Sequence, residues 1–458
     1  MTERSRDANG DRVTDGAGIG HRSGPRECSE ANRWRNWAGT RSCRPRHFYR
    51  PTTTDEIRHL VDRYAGERTI RVAGSGHSFS ALVPTDDVLV SLDRFTGVTA
   101  VDYERRRATV RAGTTLGELA ATLDVHGLAM TNLGDVDRQT VAGALATGTH
   151  GTGIDLGILS TQIVALELVT ADGERRTLAV EDGDPFRAAQ VSLGALGIIT
   201  AVTLDLDPAY RLCERTWTAP LESVLDELES LREAHRHLEF FWFPHTGRVL
   251  VKTLDKTDEP LTNPLVPTAF GERAENVVWE AVCRLSSRFP RSSPGLARFT
   301  ATTFSESETV GQSHEVFTTR RDVRFDESEY AVPARDGPAV VRALRDQVLA
   351  SHPSIVFPIE FRYVAGDEIP LSPAYGRETA FVAVHAYHRK PARAYFEACE
   401  SVFDAYDGRP HWGKRHSIAP DRLRARYPEW DTFEAIRRRF DPDGIFLNAS
   451  LRDLFEPT

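Results

Sequence analysis

Arg71-Val-Ala-Gly-Ser-Gly-His-Ser-Phe-Ser80 joins an apolar run to a turn dense in glycine and serine. Asn132-Leu-Gly-Asp-Val-Asp-Arg-Gln-Thr-Val-Ala-Gly-Ala-Leu-Ala-Thr-Gly-Thr-His-Gly-Thr-Gly153 repeats that texture further along. Glycine admits positive φ and lets backbone approach a ligand, so successive N–H groups can converge on one anion. Such a nest binds phosphate without a cationic side chain. Each stretch alone reads equally well as a tight turn; two of them, each with a histidine among the glycines, favour a ligand site. Gly74-Ser-Gly76 begins like the nicotinamide fingerprint, but Phe79 stands at its third glycine, and no G-x-x-x-x-G-K-[ST] run occurs.

The pair resembles the FAD domain of the vanillyl-alcohol-oxidase family. There a first loop cradles the pyrophosphate and its histidine often bonds covalently to the flavin. The resemblance implies FAD, linked through His77, on Gly74, Ser75, Gly76, His77, Ser78, Gly134, Asp135, Thr140, Gly143, Thr147, Gly148, His150 and Gly151.

Bulk properties fit a globular chain of two domains. The 458 residues exceed one ordinary core, and 40% hydrophobic with 27% charged residues is globular. A formal net charge of −9 argues against non-specific nucleic-acid binding. Five scattered cysteines without C-x-x-C predict reduced thiols in a cytoplasmic protein, with no zinc site or other metal. No run is apolar enough to span a bilayer, which leaves peripheral membrane association open. Residues 1–33 are polar, lack a signal-peptide h-region and read as a disordered extension.

In chain order, Thr54 opens a helix whose Ile57, Leu60, Val61 and Tyr64 share one face. A strand over 69–73 then delivers the first loop. Strands follow over 87–95 and, as hairpins, over 98–112 and 162–180, the latter turning at Asp172-Gly173. With Val191-Ser-Leu-Gly-Ala-Leu-Gly197 and the strand over 198–206, this makes an FAD-binding domain over 34–208. The middle differs. Helices are predicted over 221–235, 337–350 and 391–407, strands over 238–243, 329–332, 356–364 and 381–388, and an irregular Pro-rich stretch over 259–270. This is an antiparallel sheet backed by helices, an α+β cap domain over 209–410. Residues 411–458 resemble the family segment that returns to the FAD domain.

In Pro358-Ile-Glu-Phe-Arg-Tyr363, strand alternation puts Glu360 and Arg362 on one face, either as a surface ion pair or as a polar-substrate site. Phe381-Val-Ala-Val-His-Ala-Tyr-His388 puts His385 and His388 on opposite faces, so they cannot share a metal. Arg409-Pro-His-Trp-Gly-Lys414 resembles a signature of sugar-alcohol and aldonolactone oxidases, and Trp34-Arg-Asn-Trp-Ala-Gly39 resembles the start of their FAD domain. The resemblance implies Glu360, Arg362, His385 and Lys414 around the reacting carbinol. Asp135 replaces the substrate-contacting serine of alditol oxidases, and Gly134-Asp-Val-Asp-Arg-Gln139 looks more like gulono- and arabinono-lactone oxidases. The expected substrate is therefore a small polyhydroxylated lactone, with an alditol as alternative.

The expected chemistry is hydride transfer to flavin, with Arg362 and Lys414 stabilising oxyanion charge and His385, helped by Glu360, taking the proton. The resemblance places Gly134 at the family position beside the flavin that governs oxygen access, which implies an oxidase giving peroxide, with a dehydrogenase using another acceptor as the alternative. A turn needing positive φ would equally demand Gly there. A lactone hydrolase lacks H-E-x-x-H and G-x-S-x-G. A non-catalytic flavin- or sugar-binding module leaves the acid, base and cations unexplained.

Overall fold

The computed structural model describes Glu27 and residues 33–262, 268–303, 306–319 and 321–456, with backbone alone at 268–275 and 302–303. The 1–33 extension apart from Glu27 and Arg33, and residues 263–267 of the Pro-rich stretch, therefore lie outside the described residues.

A three-stranded parallel sheet, in the order His47–Tyr49, Val88–Ser91, Ile70–Ala73, carries the first glycine loop at its edge. The helix Thr54–Tyr64 covers it with Ile57, Leu60, Val61 and Tyr64. Its cap is Thr53, whose hydroxyl accepts from the Glu56 amide, one residue earlier than expected. A five-stranded antiparallel sheet orders Arg175–Ala179, Ile163–Val169, Ile198–Asp205, Arg107–Arg111 and Val98–Asp102. The turn after Ile163–Val169 uses Gly173 at φ +74°.

An eight-stranded antiparallel sheet dominates the rest. Its order is Ser307–Gln312, Arg211–Pro220, Arg248–Thr257, His237–Trp242, Ile359–Val364, Thr379–Tyr387, Phe325–Pro333 and Arg409–Pro410. The helices Leu221–Ala234, Gly337–Ala343 and Arg393–Ala405 cover one face. Leu238, Phe240, Trp242, Ile359, Phe361, Tyr330, Val332, Val382 and Val384 point into that helix-backed core, where Phe240 and Phe361 stack at 4.8 Å. The opposite parity, with Glu239, Glu327, Glu329, Glu360, Arg362 and His385, turns toward the flavin-loop half. Period-two alternation thus gives one sheet an apolar and an ionic side.

The tail returns as expected. Asn448 donates to the carbonyls of Ala81, Leu82 and Pro84, and the Ile70 amide donates to Ile445 at 2.7 Å. Several elements differ from expectation. The strand expected over 356–364 starts at Ile359, and the helix over 337–350 loosens after Ala343 into a π turn, Leu344–Val348. The long strands Arg211–Pro220 and Arg248–Thr257 carry charges on both faces, which hid their alternation. A helix over Thr268–Arg288 begins inside the stretch expected to be irregular.

Candidate active site

The two halves enclose a cavity of about 780 Å³. On one side stand Ser75, His77, Ser78, Gly134, Asp135, Thr147 and His150; on the other, Glu327, Glu329, Glu360, Arg362, His411 and Lys414. A narrower cleft continues from it between Gly74–Ser78 and Thr140, Gly143 and Thr147, sharing Ser75, His77, Ser78 and Thr147. Of the expected flavin contacts, Gly148 and Gly151 line neither space. Gly148 is a turn residue at φ +72°, and Gly151 admits the Asn132 amide oxygen, which would lie 2.3 Å from a Cβ.

The first loop is held open by its surroundings. Arg71, buried at its root, donates to the carbonyls of Leu82, Leu193, Gly194 and Phe446 at 2.5–2.9 Å, tying together strand, loop and tail. Gly74 is pressed so close to the Thr140 hydroxyl, 2.3 Å from an ideal Cβ, that only glycine fits. Among the described residues, no protein group accepts from the amides of Ser75, Gly76, His77 or Ser78. Unmatched amides in a glycine turn suit an anionic pyrophosphate, so the residues present fit FAD. His77 stacks on Trp37 at 5.6 Å. Burial, then Lys414 and Arg138, push its imidazole down to about 4 against Asp137, so it is neutral at ordinary pH.

On the sheet side, Arg362 is the centre of one ionic cluster. Its Nε donates to Glu239 at 2.7 Å, and its Nη2 lies 2.6 Å from Glu360 and 2.8 Å from Asp135. Arg321 meets Asp135 and stands 3.7 Å from Glu360; Lys252 is 3.4 Å from Glu239. Asp135 thus belongs to the sheet-side charge cluster through its carboxylate. Burial raises that carboxyl, but Arg362, Arg321 and Lys252 bring it below the usual range. Glu360 goes the other way. Its burial outweighs Arg362 and Arg321, and Asp135 and Glu239 add to the upward shift.

The second cluster runs along Phe325–Pro333. Lys414 Nζ sits 2.6 Å from Glu327 and 3.8 Å from Glu329. Burial lowers the lysine, but these two carboxylates outweigh it and hold it protonated above its ordinary value. His385 corrects an expectation. Its Nε2 faces Glu327 at 3.4 Å, its Nδ1 donates to the Pro358 carbonyl at 3.0 Å, and it does not line the cavity. Register explains why. Glu327 is paired across the strands with His385, whereas the residue opposite Glu360 is Ala383. Glu360 is engaged instead by Arg362 and Arg321, and His385 faces Glu327. His150 repeats the arrangement, with Nδ1 donating to the Gly151 carbonyl at 2.8 Å and Nε2 3.2 Å from Glu329. His411 is different. The Gly413 amide donates to its Nδ1 at 3.0 Å, so its ring proton is on Nε2, and burial pushes it down to about 3.

The ligating atoms of His150, Glu329 and His411 lie within 4.8 Å of one another, as do those of Asp135, Glu239 and Glu360. Lys414 already supplies positive charge to the first group and Arg362 to the second, which is what a metal ion would otherwise bring.

A family model described as D-arabinono-1,4-lactone oxidase matches residues 202–454, more than half of the chain. The chain belongs to that family. An FAD binding domain model matches residues 45–179. Among the family's curated members, L-gulono-1,4-lactone dehydrogenase of Mycobacterium tuberculosis is 41% identical over 93% of this chain and 99% of its own length. L-gulonolactone oxidase of Mus musculus and alditol oxidase of a Streptomyces species are each 34% identical over 92% of this chain and 98% of theirs. Cholesterol oxidase from B. sterolicum shares the fold, with a TM-score of 0.76 at 17% identity, covering 93% of this chain and 96% of that one. The two-domain FAD-binding oxidase fold read from the sequence is the fold of this chain.

Sequence reading missed Glu239, Arg321, Glu327, Glu329 and His411. Three of them had a signal. An isolated acid in an aromatic strand, Leu238-Glu-Phe-Phe-Trp242, and two acids two apart in Phe325-Asp-Glu-Ser-Glu-Tyr330 are costly to bury without cations.

Proposed function

We propose that this chain oxidises a secondary hydroxyl of an aldono-1,4-lactone, of the L-gulono or D-arabinono kind, with FAD as cofactor. When bound, FAD supplies the hydride acceptor. The observation that carries this reading is the convergence of Glu360, Arg362 and Lys414 on one cavity, opposite a glycine loop with unmatched amides. Lys414, protonated and held by Glu327, donates to the reacting oxygen and stabilises charge developing there. Arg362, its charge balanced by three carboxylates, orients sugar hydroxyls. Glu360 takes the hydroxyl proton. It is the one cavity carboxyl pushed upward, while Asp135, Glu327 and Glu329 are all pulled down. Neutral His411 offers an Nε2–H toward the same space. His385 acts through Glu327 as a positioning residue.

His77, neutral and lining both spaces, is the attachment point we propose for a covalent flavin link. The same reading assigns FAD binding to residues 34–208 and 411–458 and most substrate contacts to 209–410, with Lys414 added from the returning tail, in a cytoplasmic protein. Oxygen is the proposed acceptor, giving peroxide. A dehydrogenase using another acceptor has support in the relative at 41% identity that carries that name. Gly134 no longer argues for either. Its ideal Cβ would lie 2.9 Å from the His150 carbonyl, so close backbone approach demands glycine there. Turnover of L-gulono-1,4-lactone, D-arabinono-1,4-lactone and xylitol, with oxygen and with a dye acceptor, tests the proposal. Activity on xylitol alone would overturn the lactone assignment.

A further inference from the structure

Between strands Arg248–Thr257 and Ser307–Gln312 the chain leaves the large sheet as a helical hairpin, Thr268–Arg288 and Ser293–Thr303. Its inner side is tied to the cavity wall. Trp279 meets Phe357 edge-on at 5.2 Å, Glu280 accepts the Tyr387 hydroxyl at 2.7 Å, and Cys283 is fully buried. Asn276 accepts at 2.9 Å from the amide of Asp322, which lines the cavity rim.

The outer side is unlike the rest of the surface. Val277, Val278, Leu285, Phe289 and Phe299 are 69, 57, 43, 57 and 62% exposed, five of the nine exposed large hydrophobics among the described residues. Scattered single apolar residues are ordinary on a surface; this concentration is not. Val278 and Leu285 share one face of the first helix at i and i+7, and Phe289 follows directly after its C-terminal end. Beside them stand exposed Arg288, Arg291 and Arg298, while Arg284 is paired with Glu280 at 2.8 Å; no Asp or Glu occurs from Ala281 to Thr303. The local charge is thus opposite in sign to the chain's net −9.

We propose that this hairpin docks on the surface of an anionic lipid bilayer. The Leu285 and Phe289 side would enter the headgroup–acyl boundary while the arginines meet lipid phosphates. The observations favour this over other occupants. A symmetric second copy would set arginine against arginine. Nucleic acid would match the arginines but leave Val277, Val278 and Leu285 without polar partners. No described helix is long and apolar enough to cross a membrane, so the contact is peripheral. Docking would set the cavity rim near Asp322 beside the bilayer.

Flotation of the full-length flavoprotein with vesicles tests this, using phosphatidylcholine alone and equal parts phosphatidylcholine and phosphatidylglycerol. Binding is expected to the anionic vesicles only and to be lost at about 1 M salt, where the Debye length is roughly 3 Å. Arg288→Gln with Arg291→Gln should weaken it about 30-fold, at about 1 kcal/mol per basic residue. Leu285→Ser with Phe289→Ser should also abolish flotation, while flavin absorbance and lactone turnover in solution stay unchanged. Absence of wild-type flotation on anionic vesicles would overturn the proposal, as would variants that float like wild type. A dimer that dissociates in the Phe289→Ser variant would assign the face to a second copy and overturn it equally.

Discussion

Glu327→Gln keeps the shape of a buried strand residue and removes only its charge. Lys414 is 2.6 Å from Glu327 and 3.8 Å from Glu329. At an effective dielectric of about 20 these contacts are worth roughly 6 and 4 kcal/mol in gross attraction. The variant therefore loses the larger of the two and leaves the ammonium with the weaker. Breaking one side of a buried pair costs about 3–5 kcal/mol, a large part of a typical protein's margin. A fall of several degrees in melting temperature is expected at neutral pH, with turnover down at least about tenfold, because Lys414 loses its fixed position. The pH dependence has a definite sign. Burial raises the Glu327 carboxyl, but Lys414 and His385 outweigh it and bring it down from 4.5 to about 2. A depressed carboxyl stabilises the fold above its unfolded value, and that contribution is lost as pH falls through the folded one. Wild type and variant should thus differ most above about pH 4.5 and converge toward pH 2. Thermal melts across pH, with steady-state kinetics on an aldonolactone, measure both effects. Equal melting temperatures at neutral pH with native turnover would refute the reasoning.

Other outcomes follow from the same contacts. Lys414→Met should lower kcat by roughly 3–4 kcal/mol in barrier while the protein stays yellow; near-native kcat would remove Lys414 from the reaction. Arg71→Met leaves the carbonyls of Leu82, Leu193 and Phe446, all buried, and that of part-buried Gly194 without their donor, each buried one costing about 1–3 kcal/mol, so loss of folded, flavin-bound protein in expression and melting assays is expected. His77→Ala should release all flavin colour into the supernatant on acid precipitation, whereas wild type keeps it in the pellet. Colour released from wild type would refute the covalent link.

Much of the flavin half was legible because its signals are local. Glycine loops, a capped helix and an Asp-Gly turn each declare themselves within a few residues. The Glu360–Arg362 pair was legible for the same reason, as period-two alternation puts both on one face. The partners of that pair were not, because they arrive from other strands. Arg362 meets Glu239 across the sheet and Asp135 from the glycine-rich stretch. His385 was assigned the wrong carboxylate because two strands flank it, and only register shows that Glu327 is its neighbour. The reading of Gly134 as space for oxygen also depended on an unseen neighbour, the His150 carbonyl.

Anaerobic rapid mixing of the oxidised flavoprotein with an aldonolactone, followed by flavin absorbance in wild type and in Glu360→Gln, tests the central claim most directly. The account expects the lactone to bleach the wild-type flavin at least as fast as steady-state turnover. It expects Glu360→Gln to bleach roughly 10²–10⁴-fold more slowly with its flavin still bound. No bleaching of wild type by L-gulono- or D-arabinono-1,4-lactone, or bleaching of Glu360→Gln at the wild-type rate, would contradict it.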